Sequence, residues 1–120
     1  MDKRIRILRT TATGLQQVSK IPIQGSASAD SLKAVSGYYR AHTLLLESLS
    51  HACKELADKW ERETKRTGAA KLSPALTKIF ESQYVRLREK SQLQTRSFEL
   101  VSNAMRARQD AARNLINNLR

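Results

Sequence analysis

The sequence predicts an all-α fold, an antiparallel helical hairpin with a long C-terminal helix and a flexible N-terminal segment. Three observations lead there. Gly and Pro are sparse, four and two in 120 residues, and aromatics make up 5% of the chain, a balance that leans helical. Beyond Asp30, apolar residues recur mostly at steps of three, four or seven, which places them on one helical face. A single short breaker, Thr67-Gly68-Ala69-Ala70-Lys71, divides that pattern. A short loop between two amphipathic helices folds one back on the other.

The first helix is expected over about 31–66, with Ser28 or Asp30 as its cap. Its apolar face runs Leu32, Val35, Tyr39, Leu45, Leu46, Leu49, Cys53, Leu56 and Trp60. Gly37 weakens the first turns by roughly 1 kcal/mol relative to Ala. Gly68 is the expected left-handed cap at the end. The second helix is expected over about 74–119. Ser73 supplies an N-cap hydroxyl and Pro74 sits at the first helical position, where its missing N–H costs nothing. Its stripe is Leu76, Ile79, Phe80, Tyr84 and Leu87, then Phe98, Val101, Met105, Ala112, Leu115 and Leu119. The polar run Arg88–Gln92 reads as a bend or a solvated middle.

Residues 1–29 differ from the remainder. They open basic, then become rich in Thr, Ser and Gly with Pro22 among them, which argues for loop or disorder. No secretory signal is read there, because no apolar core of sufficient length follows the basic start. The domain reading is therefore a flexible segment over 1–29 and a helical hairpin over 30–120.

The formal net charge is +11. Such a charge suits an anionic partner without choosing one. The last fifty residues carry ten basic against four acidic side chains. No dense basic run exists, so the charge reads as a solvated surface. Arg106, Arg113 and Arg120 are spaced by seven and form a ridge beside the apolar stripe. No stacking aromatics and no helix-turn-helix, zinc or RNA-binding fingerprint accompany them, so specific nucleic-acid binding is not expected. No apolar run is long enough to span a bilayer.

Nothing in the chain resembles a reaction centre. Cys53 alone closes no intramolecular disulfide. His51 and Cys53 lie two apart on a helix and point to different faces, and His42 is about three turns from Cys53, so neither makes a zinc site. No Gly-x-Ser-x-Gly elbow and no Gly-rich phosphate loop is present. The acids Glu55, Asp58, Glu61 and Glu63 alternate with Lys59, Arg62, Lys65 and Arg66, as on an exposed face. The expectation is a non-enzyme with no catalytic residue, metal or cofactor.

Leu44-Leu45-Leu46-Glu47-Ser48-Leu49-Ser50, Lys59-Trp60, Leu72-Ser73-Pro74-Ala75-Leu76, Phe98-Glu99-Leu100-Val101-Ser102 and Asn114-Leu115-Ile116-Asn117-Asn118-Leu119 follow one another here. This arrangement resembles the inner-rod subunits of bacterial type III secretion systems, relatives of the needle protein. The resemblance covers roughly Leu44 to Arg120. It implies a chain exported unfolded behind its N-terminus, which then packs with copies of itself and other secretion-apparatus proteins around a channel in the cell envelope. The implied assembly interface is Leu76, Ile79, Phe80, Leu87, Phe98, Val101, Met105, Leu115 and Leu119. The same residues also suit an ordinary intramolecular core. Two other readings stay open. One is a small helical adaptor or secretion chaperone of the cytoplasm, which covers an amphipathic helix of its partner. A secreted Trp-x-Gly hairpin is a variant of it, although Trp60-Glu61-Arg62 lacks the Gly. The other is a basic nucleic-acid-associated protein.

Overall fold

The computed structural model describes residues 3–22, 29–66, 73–98 and 105–119. All regular structure among them is helical: α1 (Lys3–Val18), α2 (Ala29–Arg66), α3 (Pro74–Arg96) and α4 (Arg106–Asn117). Cross-helix pairs fix the directions. Arg9 meets Asp58 and Tyr39 meets Ile21, so α1 and α2 are antiparallel. Trp60 stacks on Phe80 while His42 meets Phe98, which makes α3 antiparallel to α2. Gly14 lies against Leu115 and Ser19 against Arg108, so α4 is antiparallel to α1. The helices alternate up and down, and each packs on two neighbours around a square. At about 1.5 Å per residue, the 38 residues of α2 match the 58 Å length of the molecule.

The first difference from the sequence expectation is α1. Residues 3–18 are a helix, not a flexible segment. Ile5, Leu8, Ala12, Leu15 and Val18 follow steps of three and four, and all five are buried. Fully burying a large aliphatic side chain is worth about 1.5–3 kcal/mol. Burial along this face therefore outweighs the weak helix propensity of Thr10, Thr11, Thr13 and Gly14. Residues 23–28 lie outside the described part.

The second difference is in the C-terminal half. No single helix runs from 74 to 119, because α3 ends at Arg96. The Ser97 hydroxyl donates to the Gln94 carbonyl at 2.6 Å, and such local bonds compete with helix continuation. The start of α3 is as expected: the Ser73 hydroxyl accepts from the Leu76 N–H at 3.3 Å and Pro74 follows. The polar run Arg88–Gln92 stays helical, with Ser91 turned inward. The expected Gly68 cap lies outside the described residues.

Two apolar clusters fill the bundle. One joins Ile5, Leu8 and Ala12 to Cys53, Leu56, Ala57 and Trp60 of α2, Phe80 and Tyr84 of α3, and Leu119. Trp60 stacks on Phe80 with centroids 5.5 Å apart and meets the Tyr84 ring edge-on at 6.5 Å. The other joins Leu15 and Val18 to Leu46, Leu49, Ala112 and Ile116. Small residues let the backbones approach. A Cβ on Gly14 would stand 2.7 Å from Leu115 Cδ2. The buried Ser50 hydroxyl donates to the Ala12 carbonyl at 2.6 Å.

A polar lock closes the end of the bundle where α1 stops. Arg108 is 1% exposed. Its Nη2 donates to the Ser19 carbonyl at 2.6 Å and to Thr43 Oγ1 at 2.5 Å. Its guanidinium carbon lies 4.2 Å from the centre of the Tyr39 ring. A buried cation needs compensation. Here the negative end of α1, the ring face and the charge of Glu47 supply part of it. Its Nε and Nη1 make no hydrogen bond, and burial lowers the pKa of Arg108. The Tyr39 hydroxyl holds the next turn by donating to the Ile21 carbonyl at 3.1 Å. Beside this lock His42 is fully buried, its ring 4.8 Å from that of Phe98 and neither nitrogen hydrogen-bonded. Burial, with the charge of Arg108 adding to it, holds the His42 pKa down to about 4.

Two tests of this packing follow from Gly14 and His42. Gly14→Val should destabilise the bundle by about 1–3 kcal/mol, the usual cost of overpacking. Adding Leu115→Ala should return part of that loss in a double-mutant cycle read by urea unfolding. For His42, the fold favours the neutral ring. Stability should therefore be complete above the unfolded-state pKa near 6.5 and fall as pH drops from there toward about 4. The fall is up to about 3 kcal/mol at 1.36 kcal/mol per pKa unit. Melting of His42→Leu across that window should show a flatter profile than the parent chain.

Candidate functional site

The sequence-predicted interface residues do not form one surface. Phe80, Met105 and Leu119 are buried inside the chain. Leu87 is partly buried against the first apolar cluster and Leu115 against the second. Leu76 and Phe98 are half-buried. Ile79 is 50% exposed. Val101 lies outside the described residues. The reason for the split is angular. Residues at adjacent positions are about 100° apart on a helix, so Phe80 faces the core with Tyr84 while Ile79 turns away.

The exposed apolar side chains lie elsewhere. On α3 they are Ile79, Val85 at 39% and Leu93 at 68%. Ile79 and Leu93 are fourteen apart, about four turns, and so share a line on the outer flank of the helix. Val85 is exposed about 80–120° round the helix from that line. On α2, Tyr38 and Leu44 are also exposed. Leu44 stands in a Leu44-Leu45-Leu46 run, and three successive positions cannot all face one side. That run was the signal for an outward leucine. For Leu93 the signal was its fourteen-residue step from Ile79, hidden by the polar residues around it.

The surface around the α3 flank is basic. The helix carries Lys78, Arg86, Arg88, Lys90 and Arg96 against Glu81 and Glu89, and Glu81 is paired with Arg4 of α1 at 3.1 Å. The acids of α2 are largely spent on neighbours. Arg9 reaches Asp58 at 2.8 Å and also binds Glu61. Lys65 lies 3.2 Å from Glu61, and Arg66 pairs with Glu63 at 2.9 Å. Arg9 first, and then Lys65, hold the Glu61 carboxyl below the usual carboxylate range. The hydrogen bonds to Asp58 and Glu61 raise the pKa of Arg9 in turn.

The residues weighed as reactive groups are dispersed. Cys53 sits in the first apolar cluster, and burial pushes its thiol up to about 12, away from the thiolate that nucleophilic chemistry needs. His42 belongs to the lock at the far end. His51 is on the surface, 3.6 Å from Glu55. Among the described residues no group of three or more His, Cys, Asp or Glu side chains is placed to hold a metal ion, and no helix is long and apolar enough to cross a membrane.

The outer flank of α3 presents exposed apolar side chains set among cations. Comparison of the chain with protein-family models, curated proteins and solved structures gives no match.

Proposed function

We propose that this chain is a small helical adaptor, of the secretion-chaperone kind, that receives an amphipathic helix of a partner protein on the outer flank of α3. The observation that carries the reading is the exposure of Ile79, Val85 and Leu93 on a helix whose opposite face is anchored by Phe80 and Tyr84. Helix-on-helix docking reads apolar anchors that share a face, and the fourteen-residue step from Ile79 to Leu93 is two such seven-residue steps. The cations around the stripe favour a partner with acidic flanks, because complementary charge speeds encounter and selects partners. An adaptor of this kind works in the cytoplasm.

The inner-rod reading rests on the sequence resemblance and asks for self-association through the C-terminal stripe. Packing of Phe80, Met105, Leu115 and Leu119 within the chain's own bundle lends more support to the adaptor. So does α1, which packs into the core of the folded chain.

Site-specific photo-cross-linking in cells discriminates the readings. A benzophenone side chain at position 93 should capture one protein of different mass. Capture of a second copy would return support to rod assembly, and no product at all would remove the adaptor reading. Ile79→Asp combined with a cross-linker at position 85 should lose the product. Its melting should stay near the parent's, since changes at exposed positions usually remain within about 0.5 kcal/mol.

A further inference from the structure

Between α3 and α4 runs a cleft of about 210 Å³, walled by Gln92, Thr95, Arg96, Arg113, Ile116 and Asn117. Apart from Ile116, every one of these side chains carries an N–H or O–H that donates hydrogen bonds, and none is a carboxylate. Thr95 is 5% exposed, and its hydroxyl has no hydrogen-bond partner. A helical Thr commonly donates to the carbonyl four residues back. Leaving a buried hydroxyl unpaired has a cost that a ligand oxygen would relieve.

The two arginines come from opposite walls. Arg96 lies in the last turn of α3. Arg113 projects from α4 and is held by Asp110 at 2.9 Å, both about half exposed. Arg88, Gln92 and Arg96 are spaced by four and form one row of α3. Arg106 precedes Arg113 by seven, two turns along α4. The positive field thus continues along the cleft on both sides.

The geometry points to a phosphoryl-binding site in this cleft, with Arg96 and Arg113 closing on the oxygens of a tetrahedral dianion from the two helices. Guanidinium groups match such oxygens two at a time. The Thr95 hydroxyl and the Gln92 amide line the same space as further donors. Asp110 acts as the internal competitor, since the ligand must draw Arg113 away from it. The source of the group is either free phosphate or a small phosphomonoester, and both present the same oxygens. This site is separate from the outer flank of α3 and does not depend on the adaptor reading.

Amide NMR titration of the full chain tests it, with inorganic phosphate and adenosine monophosphate as probes and sodium chloride matching the ionic strength. Saturable shifts should centre on residues 92–96 and 110–117. Arg96→Gln and Arg113→Gln should each weaken binding about tenfold or more, the scale of one charge-assisted contact. Asp110→Asn should tighten it several-fold. Thr95→Val should weaken it several-fold, and Arg62→Gln on α2 should leave it unchanged. Tighter binding of the nucleotide identifies a phosphomonoester, and equal binding identifies the free ion. The site is overturned by shifts that follow sodium chloride alone, by equal weakening from Arg62→Gln, or by failure of Asp110→Asn to tighten binding. Should Thr95→Val melt early, the Arg96→Lys variant carries the test. It keeps the charge but loses the paired donors, so unchanged affinity there would also overturn the site.

Discussion

The bundle depends on the seam between α1 and α2. Two amphipathic helices have a single mutual seam, which leaves the flanks of each stripe wet. With α1 in place, Leu8 and Ala12 join Trp60, Phe80 and Leu119 in one cluster, while Leu15 and Val18 meet Leu46, Ala112 and Ile116 in another. Every helix then has two neighbours. The small side at Gly14 and the inward hydroxyl of Ser50 permit this closeness, and close packing is what converts a loose helical collapse into one ordered arrangement.

Ion pairing sets the orientation that packing alone leaves degenerate. The first turns of α1 hold Lys3, Arg4 and Arg6 with no acid, an unfavourable pattern at the positive end of a helix. Arg4 is offset by Glu81 and by the Trp60 ring, 4.8 Å from its guanidinium carbon. Arg9 is offset by Asp58 and Glu61. At the other end Arg108 crosses from α4 to the Ser19 carbonyl, just past the end of α1. Positive charge is therefore placed where a negative helix end or an acid row can meet it, which fixes α1 lengthwise against its neighbours.

Much of the helical content was legible from periodicity. The Ser73-Pro74 start and the extent of α2 followed from local rules, because caps and breakers act over a few residues. The helix α1 was obscured by Thr10, Thr11, Thr13 and Gly14, whose weak propensities describe an isolated segment. Its stripe from Ile5 to Val18 carried the contrary signal. The division of the C-terminal half at Ser97 was not legible, because no Gly or Pro marks it and Ser is tolerated within helices. The candidate surface was less legible still. A linear stripe reports that residues prefer to be covered, and it does not say by what. Hence Phe80 and Leu119 went inward, while Leu93, set among polar neighbours, stayed outside. Arg108, which nothing in the charge pattern set apart, is among the most buried side chains.

The pairing of Arg9 with the acid row of α2 has an effect beyond stability. It neutralises part of the charge of α1, so that α1 with α2 (eleven basic and six acidic side chains) and α3 with α4 (eight basic and three acidic) carry the same positive excess. The cross-section of the molecule is 20 × 18 Å, and the Debye length at physiological salt is about 8 Å. An approaching macromolecule thus senses only the nearer side. Polyanions are therefore drawn with similar strength to either side. The charge of the bundle thus gathers anions without orienting them, and the choice of face falls to short-range contact.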